Sequence, residues 1–111
     1  MVVSVLCLRI DLPGTTSLKE KRRVIASLKE RVATRFRVAA AEVAANDDLR
    51  RAVLAFAVVA NSGVHAESVL QKVMRFVEDA VPDRVSSARV FTEHYDPEDD
   101  YGDLTGRAGN G

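Results

Sequence analysis

Two stretches of strand length, Val2 to Leu12 and Arg51 to Ala60, are apolar on both of their faces. In the first, Leu6, Leu8, Ile10 and Leu12 alternate with Val3, Val5 and Cys7, and charge enters only at Arg9 and Asp11. In the second, Leu54, Phe56 and Val58 alternate with Val53, Ala55, Ala57 and Val59. A strand with no polar face belongs in the middle of a sheet, where both sides are covered. At 111 residues, 47% of them hydrophobic, the chain can build one modest core. These two strands are therefore its expected centre.

Each of them is followed by a helix signal. Pro13-Gly14 breaks the first strand, and Ser17-Leu18-Lys19-Glu20 then reads as a capping box. In that motif the Ser17 hydroxyl accepts from the Glu20 amide while the Glu20 carboxylate reaches back to the Ser17 amide. Leu18, Ile25, Leu28, Val32 and Phe36 share one stripe, which carries the helix to about Phe36. Lys21 and Lys29 fall in or beside the stripe and are expected to snorkel at its edges. Asn61-Ser62-Gly63 opens a second helix with a stripe of Ala66, Val69, Leu70, Val73, Val77 and Ala80, stopped at Val81-Pro82. Arg37 to Val43 is assigned to a strand because the turn at Asn46-Asp47-Asp48 leaves no room for a further helix, although its alanines would suit one. Arg84 to about Tyr95 completes the set.

Strand, helix, strand, strand, helix, strand, joined by right-handed crossovers and one hairpin, gives an α+β, ferredoxin-like βαββαβ fold. The expectation is a four-stranded antiparallel sheet ordered 4-1-3-2, with both helices on one face. The domain is expected over residues 1–95, with 96–111 an acidic, glycine-rich, loosely held tail. Pro13 to Ser17, Asn46 to Arg50 and Val81 to Arg84 should gather at one end, and Asn61 to His65 with the end of the first helix at the other.

The single Cys7 cannot form an internal disulfide, and no apolar run approaches the ~20 residues of a membrane helix. With no basic, cleavable leader, a cytoplasmic protein with no membrane role is expected. Net charge is zero only because of the tail: residues 1–92 hold 15 bases against 10 acids. The body is basic and the first helix is its most cationic part.

Ser17-Leu18-Lys19-Glu20-Lys21-Arg22, preceded by Leu12-Pro13-Gly14 and followed by Arg35-Phe36 and Ala41-Glu42-Val43, resembles the YlxP-like family of small bacterial proteins. The likeness runs from Val2 to about Glu93. It implies a ferredoxin-like domain without an established activity. It also implies a place near translation or ribosome maturation, because such genes tend to sit with those of an initiation factor and a ribosome-binding factor. The chain departs from the family at Arg50, where such proteins often carry an aromatic residue.

For function, the first helix N-terminus presents unpaired amides beside Thr15, Thr16, Lys19, Lys21, Arg22 and Arg23, with Arg50 at the same end. This is chemistry suited to phosphate or an RNA backbone, but it lacks the spacing of a P-loop. Alternatively the cations only solvate the surface, and Asp47 and Asp48 neutralise Lys19 and Arg22. Val3, Val5, Cys7, Val53, Ala55, Ala57 and Val59 form the expected open face of the two central strands. That face has no ring on which a base could stack, so a homodimer or protein partner would cover it. His65 and His94 lack a third ligand or a nucleophile, so no catalytic residue, metal, cofactor or small-molecule substrate is assigned. The expectation is a non-enzymatic RNA- or ribosome-associated domain, with a homodimeric interaction module as its rival. The tail could fold back on Arg31, Arg35 and Arg37, or simply solubilise.

Overall fold

The computed structural model describes residues 1–98, in the order β1 (Val2–Asp11), α1 (Leu18–Phe36), β2 (Ala39–Ala44), β3 (Arg51–Ala60), α2 (Gly63–Ala80) and β4 (Val85–His94). The four strands form one antiparallel sheet ordered β2-β3-β1-β4, the expected order read from the other edge. The expectation of a loose tail falls mostly on residues outside those described.

Even-numbered positions of β1 and β3 face the helices. Leu6, Leu8, Ile10, Leu54 and Phe56 are buried there against Ile25, Leu28 and Val32 of α1 and Leu70, Val73 and Val77 of α2. Odd positions from Val3 to Cys7 and from Val53 to Ala57 remain partly exposed on the opposite face. The helices do not cover the sheet evenly. α2 lies over β1 and β3, α1 lies against β2 and α2, and β4 has no substantial helix cover. Beyond Val85, β4 is therefore exposed on both sides.

The loops sort to the two ends as the topology requires. Asp11 N–H donates to Arg84 O and Leu12 N–H to Arg50 O, tying the ends of β1, the β2–β3 loop and the α2–β4 loop together. At the other end Gly63 lies beside His94.

Two local expectations need correction. β2 starts at Ala39 rather than Arg37, because Arg37 turns left-handed (φ 55°) to end α1 and Val38 is drawn into the core. Ser17 is the α1 N-cap as expected, but the return half of the capping box is displaced by one residue. Ser17 Oγ does accept from Glu20 N–H at 3.1 Å, but the Glu20 carboxylate reaches the Thr16 hydroxyl at 2.9 Å and the Thr16 amide at 3.4 Å, not the Ser17 amide. Ser17→Ala is expected to lower stability by about 1 kcal/mol, read from the urea midpoint at unchanged slope, because it orphans one first-turn amide.

Candidate nucleic-acid interface

The loop and first turn that the sequence offers as an anion cradle are largely occupied by the fold. Thr15 is buried, and its amide donates to Leu12 O. Thr16 spends its hydroxyl on Glu20. The larger correction concerns Lys21, which does not snorkel. It is fully buried, and its ammonium lies 2.9 Å from Glu42 Oε2 and bonds the backbone carbonyls of Ala45 and Asn46. Charge attraction holds the Glu42 carboxylate against that ammonium. Thr15 and Lys21 therefore leave the anion-binding set.

Lys21, rather than Lys19 or Arg22, is what meets the β2–β3 loop. Asp48 is otherwise engaged, accepting from Arg50 N–H at 2.9 Å and lying 3.7 Å from Arg51 Nε. Among the described residues neither Asp47 nor Asp48 pairs with Lys19 or Arg22, which stand exposed with Arg23 along α1. The Arg50 side chain is exposed at the same end of the fold.

The cationic surface continues down α1 to a feature absent from the expected site. Arg31 and Arg35, one turn apart, both stack on Phe76 of α2, their Cζ atoms 5.2 and 5.4 Å from the ring centroid. Phe76 meets Phe36 edge to face at 5.7 Å, and Arg35 also lies 5.6 Å from the Phe36 ring. The two rings pack together between α1 and α2, and both guanidinium groups, on exposed arginines, lie over Phe76. An open depression of about 500 Å³ lies here, lined by Glu30, Arg31, Thr34, Arg35 and Phe76. Lys72 and Arg75 border an adjoining hollow with Asp79. Among the described residues none of Lys19, Arg22, Arg23, Arg31, Arg35, Lys72 and Arg75 is in an ion pair.

The open sheet face carries Val3, Val5, Cys7, Val53, Ala55 and Ala57 half-buried, with Val59 more exposed. The same face carries a ring, on β4 and not on the two central strands. The register sets Phe91 of β4 opposite Val5 on this face, 51% exposed, with Arg89 stacked on it at 5.7 Å. The alternation Arg89-Phe91-Glu93 could have placed it.

A family model described as "Protein of unknown function (DUF503)" matches residues 3–90. The chain belongs to the DUF503 family. It is similar to the uncharacterized protein YlxP of Bacillus subtilis (strain 168), 37% identical over 62 residues, which are 56% of this chain and 67% of that protein. Among solved structures, it is similar to a de novo designed protein with a ferredoxin fold, at 13% identity and a TM-score of 0.51. That match covers 94% of this chain and 93% of the designed one. For this DUF503 member the likeness establishes the ferredoxin fold and nothing about function. A looser match, to a 5-chloro-2-hydroxyhydroquinone dehydrochlorinase from Burkholderia phenoliruptrix AC1100, has 16% identity and a TM-score of 0.40 over 84% of this chain and 93% of that one. It carries no argument about chemistry.

Proposed function

We propose that this DUF503 protein is a binding protein rather than an enzyme, and that it contacts RNA, including ribosomal RNA, through the outer surface of α1. The observation that carries the reading is a set of exposed cations on one helix, Lys19, Arg22, Arg23, Arg31 and Arg35, that have no acid partner among the described residues. Cations that bind a phosphate backbone release its counterions, and a guanidinium can hydrogen-bond phosphate or stack on an unpaired base. The place near translation implied by the YlxP-like resemblance favours RNA among polyanions. Thr16 and Arg50 lie at the margin of this surface.

The test is fluorescence anisotropy with a labelled single-stranded RNA. If about four phosphates are contacted, affinity should fall roughly 50-fold as salt rises from about 50 to about 200 mM. Absence of binding at the lowest salt, or binding indifferent to salt, would sink the proposal.

A further inference from the structure

The exposed edge of β4 is a self-complementary strand, and we propose that a second copy of this chain pairs with it antiparallel, about a two-fold axis through Phe91. This inference is independent of RNA binding. It moves the dimer contact from the open sheet face to the sheet edge.

The backbone fixes which groups are available. Tyr95 N–H donates to Met1 O, and the Met1 amino group donates to Tyr95 O, so residues 1 and 95 form a hydrogen-bonded pair. In an antiparallel ladder, alternate residues turn both backbone groups to the same side. With Val3 opposite Glu93, Val5 opposite Phe91 and Cys7 opposite Arg89, the odd residues of β4 bond to β1. The even residues of β1 turn the other way, as Leu12 N–H bonding to Arg50 O shows. Ala88, Val90, Thr92 and His94 therefore present their N–H and C=O groups outward, along a ten-residue strand exposed on both faces beyond Val85. Soluble proteins normally shield so long an edge.

Side chains then select the register. Only even residues can pair with even ones, so a two-fold axis must pass through a residue. Centring on Arg89 or Glu93 sets like charges against each other. Centring on Val90 or Thr92 leaves Glu93 opposite Ser87 or Phe91. Centring on Phe91 sets Arg89 opposite the second copy's Glu93, and Glu93 opposite its Arg89, with the two Phe91 rings meeting on the axis. These are the non-hydrogen-bonded positions, where opposed side chains approach most closely. Val90 then pairs with Thr92, and Ala88 with His94, for about eight backbone hydrogen bonds between the copies. Arg89 already lies over Phe91 on the open face. On the other face Val90, 54% exposed beside Leu6, Leu70 and Met74, would floor a trough between the α2 helices of the two copies.

Sedimentation equilibrium of the full chain tests this. The unaltered protein should be dimeric. Arg89→Glu and Glu93→Arg should each weaken the dimer about tenfold or more by opposing like charges twice, and the double swap should restore it. Mixing the two single variants should give a heterodimer. Val90→Pro removes an outward N–H without touching the ladder to β1, so it should give a folded monomer by circular dichroism. A monomer at every concentration overturns the proposal. So does a dimer that survives Val90→Pro, a double swap that stays dissociated, or dissociation by Val5→Asp with the charge variants unaffected.

Discussion

Replacing Lys21 with methionine is expected to lower the unfolding free energy by about 3 kcal/mol while leaving RNA affinity unchanged. Lys21 is fully buried, and its partners come from β2 and the loop after it: Glu42 Oε2 and the carbonyls of Ala45 and Asn46. Methionine fills nearly the same volume, so the loss is electrostatic rather than a cavity. Removing one member of a buried ion pair typically costs 3–5 kcal/mol because the other is stranded. The lower end applies here because the Glu42 side chain retains 13% exposure to water. Ala45 adds a second dependence: it sits at φ 58°, a left-handed conformation unfavourable to alanine, and its carbonyl is one that Lys21 holds. Urea unfolding at constant slope measures the loss. Adding Glu42→Leu to Lys21→Met should recover most of it, since an apolar pair strands no charge. An unchanged midpoint in the single variant would mean that the ion pair does not hold β2 to α1.

The same residue shows where the sequence becomes illegible. The fold could be read because its determinants are local or periodic: two strands apolar on both faces, hydroxyl caps at Ser17 and Ser62, and helical stripes that close on Val32 and Val77. That Lys21 lies in the α1 stripe was equally visible. What it does there was not, because its acid and carbonyl partners lie on β2 and the following loop and reach it only through tertiary packing. A lysine at a stripe's edge ordinarily keeps its ammonium in water; this one does not because Glu42 points from the helix side of the sheet. Phe76 escaped for a related reason. It lies beside the α2 stripe, and only the packing of α2 on α1 brings it beneath Arg31 and Arg35. The periodic pattern says which face of each helix is inward, but not which flanks touch. Thus the cationic helix is legible in the sequence while its aromatic support is not, and the proposed surface is shifted down α1 to take in Arg31 and Arg35.

That shift makes the charge reversal Arg31→Glu/Arg35→Glu the most informative change for RNA binding, with an expected affinity loss of about 100-fold at low salt and a shallower salt dependence. Two effects act together: two backbone contacts are lost, and two carboxylates now repel the phosphates that Lys19, Arg22 and Arg23 still attract. Some stability should go as well, about 1 kcal/mol, because each arginine also stacks on Phe76. Affinity must therefore be measured where the variant is fully folded. The conservative pair Arg31→Lys/Arg35→Lys separates the two contributions of the guanidinium. It keeps the charge and should preserve the salt slope, but it gives up the flat donor edge, so affinity should fall by only a fewfold. Lys19→Glu/Arg22→Glu, near the N-terminus, should weaken binding too, and Lys21→Met should not. An Arg31→Glu/Arg35→Glu protein that binds within about twofold of the unaltered chain would remove the α1–α2 seam from the interface. A matching loss in Lys21→Met would show that affinity was reporting the integrity of the fold and not contacts to phosphate.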